Sequence, residues 1–297
     1  MPRSSSPPVL SCVRALVATL ALVATARANP AATSSAPPAP TIPVLREDVA
    51  TAPAPLGTAT TVAPPAPRYP RSVIARPLTL PASLVALGAD AGGNHDLSAI
   101  TAAPIVGCGI TDKLEVQVPY AFAVRELEAR GSVIADAGYA IVRGALAGKL
   151  EAIARVRGGY DTLGSAATPL GLGVHLQYNV TPWLALISGA PGTQQLRISL
   201  VENAELQTPI DIGLPLGVGV QPTETLYLQL DTRLLQLALS ESETLVIGRD
   251  VTPLALTAVW NVIPALDVQA AIGTDLSNEP GEALTFLVGA RFYAGTL

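Results

Sequence analysis

The chain has two histidines, and they are the first residues to consider for catalysis. His95 stands beside Asp96, and a histidine next to an acid can move protons in hydrolysis. His175 is followed by Leu176 and Gln177, so the neighbouring serine that a histidine-activated nucleophile requires is missing. The pair at His95 and Asp96 is more typical of an ordinary polar loop. We therefore expect that the protein is not an enzyme.

No cofactor or metal site is expected either. The pairs Gly107-x-Gly109 and Gly171-x-Gly173 lack the third glycine and the following helix of a phosphate-binding loop. Cys108 is the only cysteine after the first 28 residues, so a site with several cysteine ligands cannot form.

Charged residues that alternate with apolar ones form a larger candidate set. Charges inside a barrel are either paired or exposed to water in a pore. Arg155 and Arg157 have no acid beside them in sequence, and acids on adjacent strands are the simplest partners. Asp267 and Arg291 are expected to form a structural pair near one rim. The predicted lumen-lining residues are Glu115, Glu151, Arg155, Arg157, His175, Asp211, Asp231, Arg233, Asp267 and Arg291.

The segments that carry these residues show period-two alternation, which indicates β-strands with one apolar face. In residues 210–221, Ile212, Leu214 and Leu216 alternate with Gly213 and Gly217. The same pattern recurs from Leu78 to the C-terminus, although it slips at Leu234-Leu235, where we expect a β-bulge.

Short turns recur about every 40 residues, near residues 109–113, 147–149, 179–184, 221–226 and 261–266. Longer polar stretches separate them, beginning with a predicted loop over residues 90–96. Five turns and six loops join twelve strands, and short turns on one side with longer loops on the other are typical of outer-membrane barrels. The sequence therefore predicts an all-β fold, an antiparallel transmembrane barrel of about twelve strands.

The first 70 residues have a different composition. Basic Arg3 and Arg14 precede an apolar run that ends at the small-x-small site Ala26-Arg27-Ala28, the plan of a secretory signal peptide. Residues 29–70 are rich in proline and alanine and are predicted to be a disordered periplasmic segment, either a spacer or a plug or cell-wall contact. The expected organisation is a signal peptide (1–28), this segment (29–70) and the barrel (71–297).

Charge and hydropathy fit a membrane barrel. Cleavage after Ala28 removes three of the 18 basic residues and no acid, which leaves 15 against 23 acids and a formal charge of −8. Nucleic acid is therefore not an expected partner. Mean hydropathy is +0.42 with 14 % charged residues, an apolar excess that a barrel accommodates because every second strand residue faces lipid.

From Leu78 to Leu297 the pattern resembles Gram-negative outer-membrane barrels, especially those with a Pro/Ala-rich leader. The resemblance implies an outer-membrane location with both termini in the periplasm, and lipid and small polar solutes as partners. The chain differs from these barrels at its C-terminus. They usually end on an aromatic residue, whereas here Phe292 and Tyr293 are followed by four more residues. A small passive channel or transporter is the first functional hypothesis. A structural or anchoring barrel with a filled lumen, or a soluble periplasmic β-sandwich, are the alternatives, and the oligomeric state stays open.

Overall fold

The computed structural model describes residues 69–97, 99–124, 131–161, 166–168, 170–189, 196–198, 210–239, 245–248, 253–276 and 283–295. Besides a short 3₁₀ turn at Val73–Ala75 and one helical turn at Ala145–Gly148, the regular secondary structure in these ranges is β-strand. Within them, no helix is long and apolar enough to span a membrane. The strands are Val85–Asn94 (β1), Ile100–Gly109 (β2), Leu114–Ala123 (β3), Gly131–Gly144 (β4), Leu150–Asp161 (β5), Ala166–Ala167 (β6), Leu170–Thr181 (β7), Leu184–Ser188 (β8), Leu196–Ile198 (β9), Ile210–Val220 (β10), Leu226–Leu239 (β11), Leu245–Gly248 (β12), Pro253–Ile263 (β13), Leu266–Asp275 (β14) and Thr285–Ala294 (β15).

The strands form one closed antiparallel sheet. β1 pairs with both β2 and β15, which closes the ring. Three positions in the ring are each shared by two pieces: β6 with β7, β8 with β9, and β12 with β13. The ring therefore has twelve positions, and the predicted twelve-stranded barrel is confirmed. A single closed sheet excludes the two-layer sandwich.

The five predicted short turns all lie at one end of the barrel, together with the start of β1 and the end of β15. We call this the turn end and the opposite end the loop end. The predicted loop over residues 90–96 is wrong in its first half. β1 continues to Asn94 and pairs with both neighbours along this stretch, so Asp90 lies in the middle of a strand.

Apolar side chains face outward and small or polar ones face inward, as the alternation predicts. Leu214 and Leu216 on β10 are exposed on the outer face, whereas Gly213 and Gly217 are buried. The predicted bulge is also present. Leu214 pairs with Leu235 and the next residue pairs with Arg233, which leaves one extra residue on β11.

The first wall strand begins at Val85, not at Leu78 where the alternation starts in the sequence. Residues 69–84, which we call the lumen segment, lie inside the barrel at the turn end. Ile74 packs against Tyr227 on β11, whereas the N–H of Leu80 bonds to Glu115 on β3. β3 and β11 are six positions apart in a ring of twelve, so the lumen segment crosses the barrel from one wall to the other.

Candidate functional site

Arg76 fixes the lumen segment to the wall through a buried ion pair. Its two terminal nitrogens bond to the two carboxylate oxygens of Asp267, with 3.0 Å for the Nη2 to Oδ1 contact. Asp267 also accepts hydrogen bonds from the Asn261 amide at 2.8 Å and the Tyr293 hydroxyl at 2.9 Å. Each oxygen of this buried carboxylate therefore accepts two hydrogen bonds. A buried ion pair is tolerated when its hydrogen-bonding groups are satisfied in this way.

Two tyrosine rings stack on this ion pair. The guanidinium carbon of Arg76 lies 4.9 Å from the ring centre of Tyr69 and 5.6 Å from that of Tyr293, within the range of a cation–π interaction. The two rings are themselves 4.9 Å apart. Burial raises the pKa of the Tyr69 hydroxyl, so the ring stays neutral beside the arginine. Arg76 is thus held by charge, hydrogen bonds and aromatic faces together.

Acids of the wall accept backbone hydrogen bonds from the other half of the lumen segment. Glu115 accepts the N–H of Leu80 at 2.8 Å, and Glu151 accepts the N–H of Leu78 at 3.0 Å. A segment inside a barrel that is not part of the sheet lacks a neighbouring strand to bond its backbone, so wall side chains bond it instead. Glu115 and Glu151 therefore act as docking residues for the segment.

Arg155 joins the docking acid Glu115 to the next strand. It forms an ion pair with Glu115 on β3 and a second one with Asp136 on β4, at 2.8 Å. All three side chains are more than nine-tenths buried. Arg155 is therefore paired with an acid on the adjacent strand β4 and with one on β3 beyond it, whereas pairing of Arg157 with acids on adjacent strands stays a prediction.

Above the lumen segment, the barrel encloses a cavity of about 430 Å³. Its floor includes Arg76 and Leu78 of the segment. Its walls come from strands around the whole ring and are rich in polar groups. The charged and amide side chains that line it are Arg76, Asp90, Glu115, Gln117, Arg155, His175, Gln177, Gln229, Asp231, Asp267, Gln269 and Arg291.

Asp90 and Arg291 form an ion pair on the cavity wall, with 2.6 and 2.7 Å between the charged atoms. The Gln269 amide donates to the same carboxylate at 2.8 Å. The expected pairing of Asp267 with Arg291 is wrong. The two residues do face each other across β14 and β15, but Asp267 binds the lumen segment and Arg291 binds Asp90.

Three side chains on the inner face of β11 form a row along the cavity wall. The Tyr227 hydroxyl donates to the Gln229 carbonyl oxygen at 2.7 Å, and the Gln229 amide nitrogen donates to both oxygens of Asp231 at 2.8 Å. The neighbouring β10 has glycines where this row passes. A methyl group at Gly217 would overlap the Asp231 carboxylate, and one at Gly219 would overlap the Tyr227 hydroxyl.

The structure brings six of the ten predicted lumen residues to the cavity: Glu115, Arg155, His175, Asp231, Asp267 and Arg291. Glu151 bonds to the lumen segment. Arg157 is two residues from Arg155 on the same strand face, and Arg233 lies beside Gly213 inside the barrel. Asp211 belongs to β10, but its side chain lies outside the part of the chain that the structure describes.

Several residues of the lumen are not among those predicted from the sequence. Asp90 was assigned to a loop, because the small residues around it hide the strand pattern. Arg76 precedes the alternating strands, and the prediction places it only within the barrel range 71–297, without a role in the lumen. Gln229 and Gln269 do alternate with apolar residues in the sequence, so the same period-two pattern could have found them.

The outer surface defines the class of protein. Large apolar side chains are exposed on nearly every wall strand, among them Ile141, Leu186, Leu256 and Val288. Trp183 and Trp260 are exposed near the turn end, where aromatic residues of membrane barrels lie at the lipid–water boundary. A closed barrel with this surface is a transmembrane β-barrel of the outer-membrane type.

No protein-family model matches the sequence, and no curated protein does. Solved structures that resemble the chain include the KdgM porin, with 7 % identity over 70 % of this chain and 98 % of the porin, at a TM-score of 0.49. The NanC porin has 12 % identity over 69 % and 98 % of the two chains, at 0.47. Omp33 of Acinetobacter baumannii has 9 % identity over 70 % and 96 %, at 0.38. These likenesses concern the shape of the chain alone.

Proposed function

We propose that the protein is an outer-membrane channel for small polar solutes, closed at its turn end by the lumen segment. The observation that carries the proposal is the cavity of about 430 Å³, which charged and amide side chains line, inside a barrel with large apolar side chains on its outer surface. A barrel of twelve strands is wider than one of eight, whose interior is just filled by side chains.

The turn end is assigned to the periplasm in this proposal, because outer-membrane barrels have short turns on that side. Residues 1–28 then direct export, and residues 29–70 are periplasmic and lead into the lumen segment. Release of the segment from Asp267, Glu115 and Glu151 would open the cavity to the periplasm. The segment thus acts as the gate of the channel.

A structural or anchoring barrel with a filled lumen is the second candidate. The favouring observation is that the lumen segment crosses the barrel and is tied to opposite walls by Arg76 and by the N–H of Leu80. If the segment never leaves, no path for solutes exists. The two candidates therefore differ in whether loosening the segment creates conductance.

The test is single-channel recording in planar bilayers with the double variant Arg76→Ala/Asp267→Asn. Changing both partners removes the ion pair without leaving a buried charge alone. We expect long open periods in the variant and rare openings in the unaltered protein. Lys113→Ala is the matched control, because it removes a positive charge from an exposed turn at the same end of the barrel. Folding is verified by heat-dependent migration on gels.

A second variant reaches the same segment without changing charge. A methyl group at Gly109 would overlap the carbonyl oxygens of Leu80 and Pro81, so Gly109→Ala should push the segment off the wall and also raise conductance. Gly158→Ala serves as its control, since a methyl group there would make only an ordinary contact with Leu170. If both folded segment variants conduct no better than the unaltered protein, the channel proposal is wrong and the anchoring barrel is supported.

A further inference from the structure

We propose that the lumen cavity binds a small organic cation with a primary ammonium group, and that Asp231 is its counter-ion. The proposal rests on the proposed function in that it names the class of solute the lumen accepts. It is carried by the charge balance of the cavity and by the construction of the β11 row.

The cavity wall has one carboxylate more than it has arginines. Among the residues that line it are three arginines and four carboxylates. Each arginine is in an ion pair, namely Arg76 with Asp267, Arg155 with Glu115, and Arg291 with Asp90. Asp231 is the fourth carboxylate. Its only hydrogen-bond donor in the described part of the chain is the neutral Gln229 amide.

The position of this carboxylate is fixed before any ligand arrives. The Tyr227 hydroxyl orients the Gln229 amide so that its nitrogen points at Asp231. Gly217 and Gly219 on β10 leave the space that the row occupies. A half-buried carboxylate without a cation is costly to keep, and a preorganised one offers a cation a binding site without a rearrangement cost.

His175 provides an independent observation. It lines the same cavity, is 7 % exposed, and its Nδ1 atom is buried with no hydrogen-bond partner. Buried side-chain nitrogens are nearly always hydrogen-bonded, so this nitrogen keeps an unused hydrogen-bonding capacity beside the cavity.

The donor set favours an organic cation over a metal ion. Among the described residues, no group of three or more His, Cys, Asp or Glu side chains could hold a metal. One carboxylate and neutral hydrogen-bonding groups instead suit an ammonium group, which donates several hydrogen bonds. The cavity volume lies within the range of sites for small molecules.

The test measures binding directly in detergent-solubilised full-length protein. The probes are ethanolamine, which is a cation at neutral pH, and acetate and glycerol as anionic and neutral probes of similar size. Saturation-transfer difference NMR should show binding of ethanolamine and little of the other two. In Asp231→Asn, which keeps the side-chain shape, affinity should fall about tenfold or more. Glu224→Gln, which removes an acid from an exposed turn, should bind as the unaltered protein does.

Gly217→Ala tests the geometry without removing the charge. It should also weaken ethanolamine binding, because the added methyl group displaces the Asp231 carboxylate, whereas Gly158→Ala should not. Equal binding of all three probes to the unaltered protein, or full affinity in Asp231→Asn, would overturn the proposal. Ethanolamine binding without conductance would support the cation site and contradict the channel. Conductance without ethanolamine binding would support the channel and contradict the cation site.

Discussion

Arg155 shows how the stability of the barrel interior depends on paired charges. Its ion pairs with Glu115 and Asp136 are almost fully buried. Removing one partner of such a pair strands the others in a poorly hydrated interior, which typically costs about 3–5 kcal/mol. The charged side chains around the lumen therefore hold the barrel together as well as line it.

Arg155→Met should lower the free energy of unfolding by about 3–5 kcal/mol, because it leaves Glu115 and Asp136 without their cation. Lys113→Met is the comparison, since Lys113 is exposed at the turn end and its loss should cost no more than about 1 kcal/mol. Equilibrium urea unfolding of protein folded into lipid vesicles measures both. Adding Glu115→Gln to Arg155→Met should restore part of the lost stability; equal stability of both single variants would contradict the structural role of Arg155.

Within each wall strand, adjacent residues face different environments, one the lipid and the next the lumen. Leu256 on β13 is 46 % exposed on the outer face, whereas Thr257 lines the cavity. Leu256→Arg should therefore destabilise the barrel by about 2–4 kcal/mol if it lies at the midplane, because the charge faces lipid. Thr257→Arg places the same group in the lumen and should cost much less. Unfolding measurements in lipid vesicles compare them, and equal losses would mean that the two faces are misassigned.

The wall strands could be predicted from the sequence because each has a lipid face and a lumen face, which imposes period two. The bulge at Leu234-Leu235 was found for the same reason, since an extra residue breaks the alternation. The lumen segment could not be predicted in this way. Its Leu80 and Ile74 pack inside the barrel, but nothing in a local pattern tells an apolar residue that faces lipid from one that faces the lumen.

The ion pairs of the site could not be predicted from the sequence either. Arg76 and Asp267 are 191 residues apart, and Asp90 and Arg291 are 201 apart. Which charges meet depends on barrel closure and on strand stagger, and both are global properties. The inward direction of Asp267 and Arg291 followed from alternation, whereas their partners did not.

The whole molecule has two different ends, and they should face different compartments. An epitope inserted after Glu224 lies at the turn end, and one inserted between β9 and β10 lies at the loop end. Because short turns face the periplasm in outer-membrane barrels, antibody should bind intact cells only with the second insertion. Permeabilised cells should bind antibody with both. Labelling of intact cells through the Glu224 insertion would mean that the orientation is reversed.

The lumen segment also imposes an order on folding. Arg71 bonds to Asn261 and Arg76 to Asp267, residues that are synthesised 190 and 191 positions later. Closing so long a loop is slow and entropically unfavourable until the intervening strands hold the two partners near each other. We therefore expect the segment to dock after β13 and β14 have joined the wall. We expect a newly assembled barrel to pass through a stage in which the lumen segment has not yet docked.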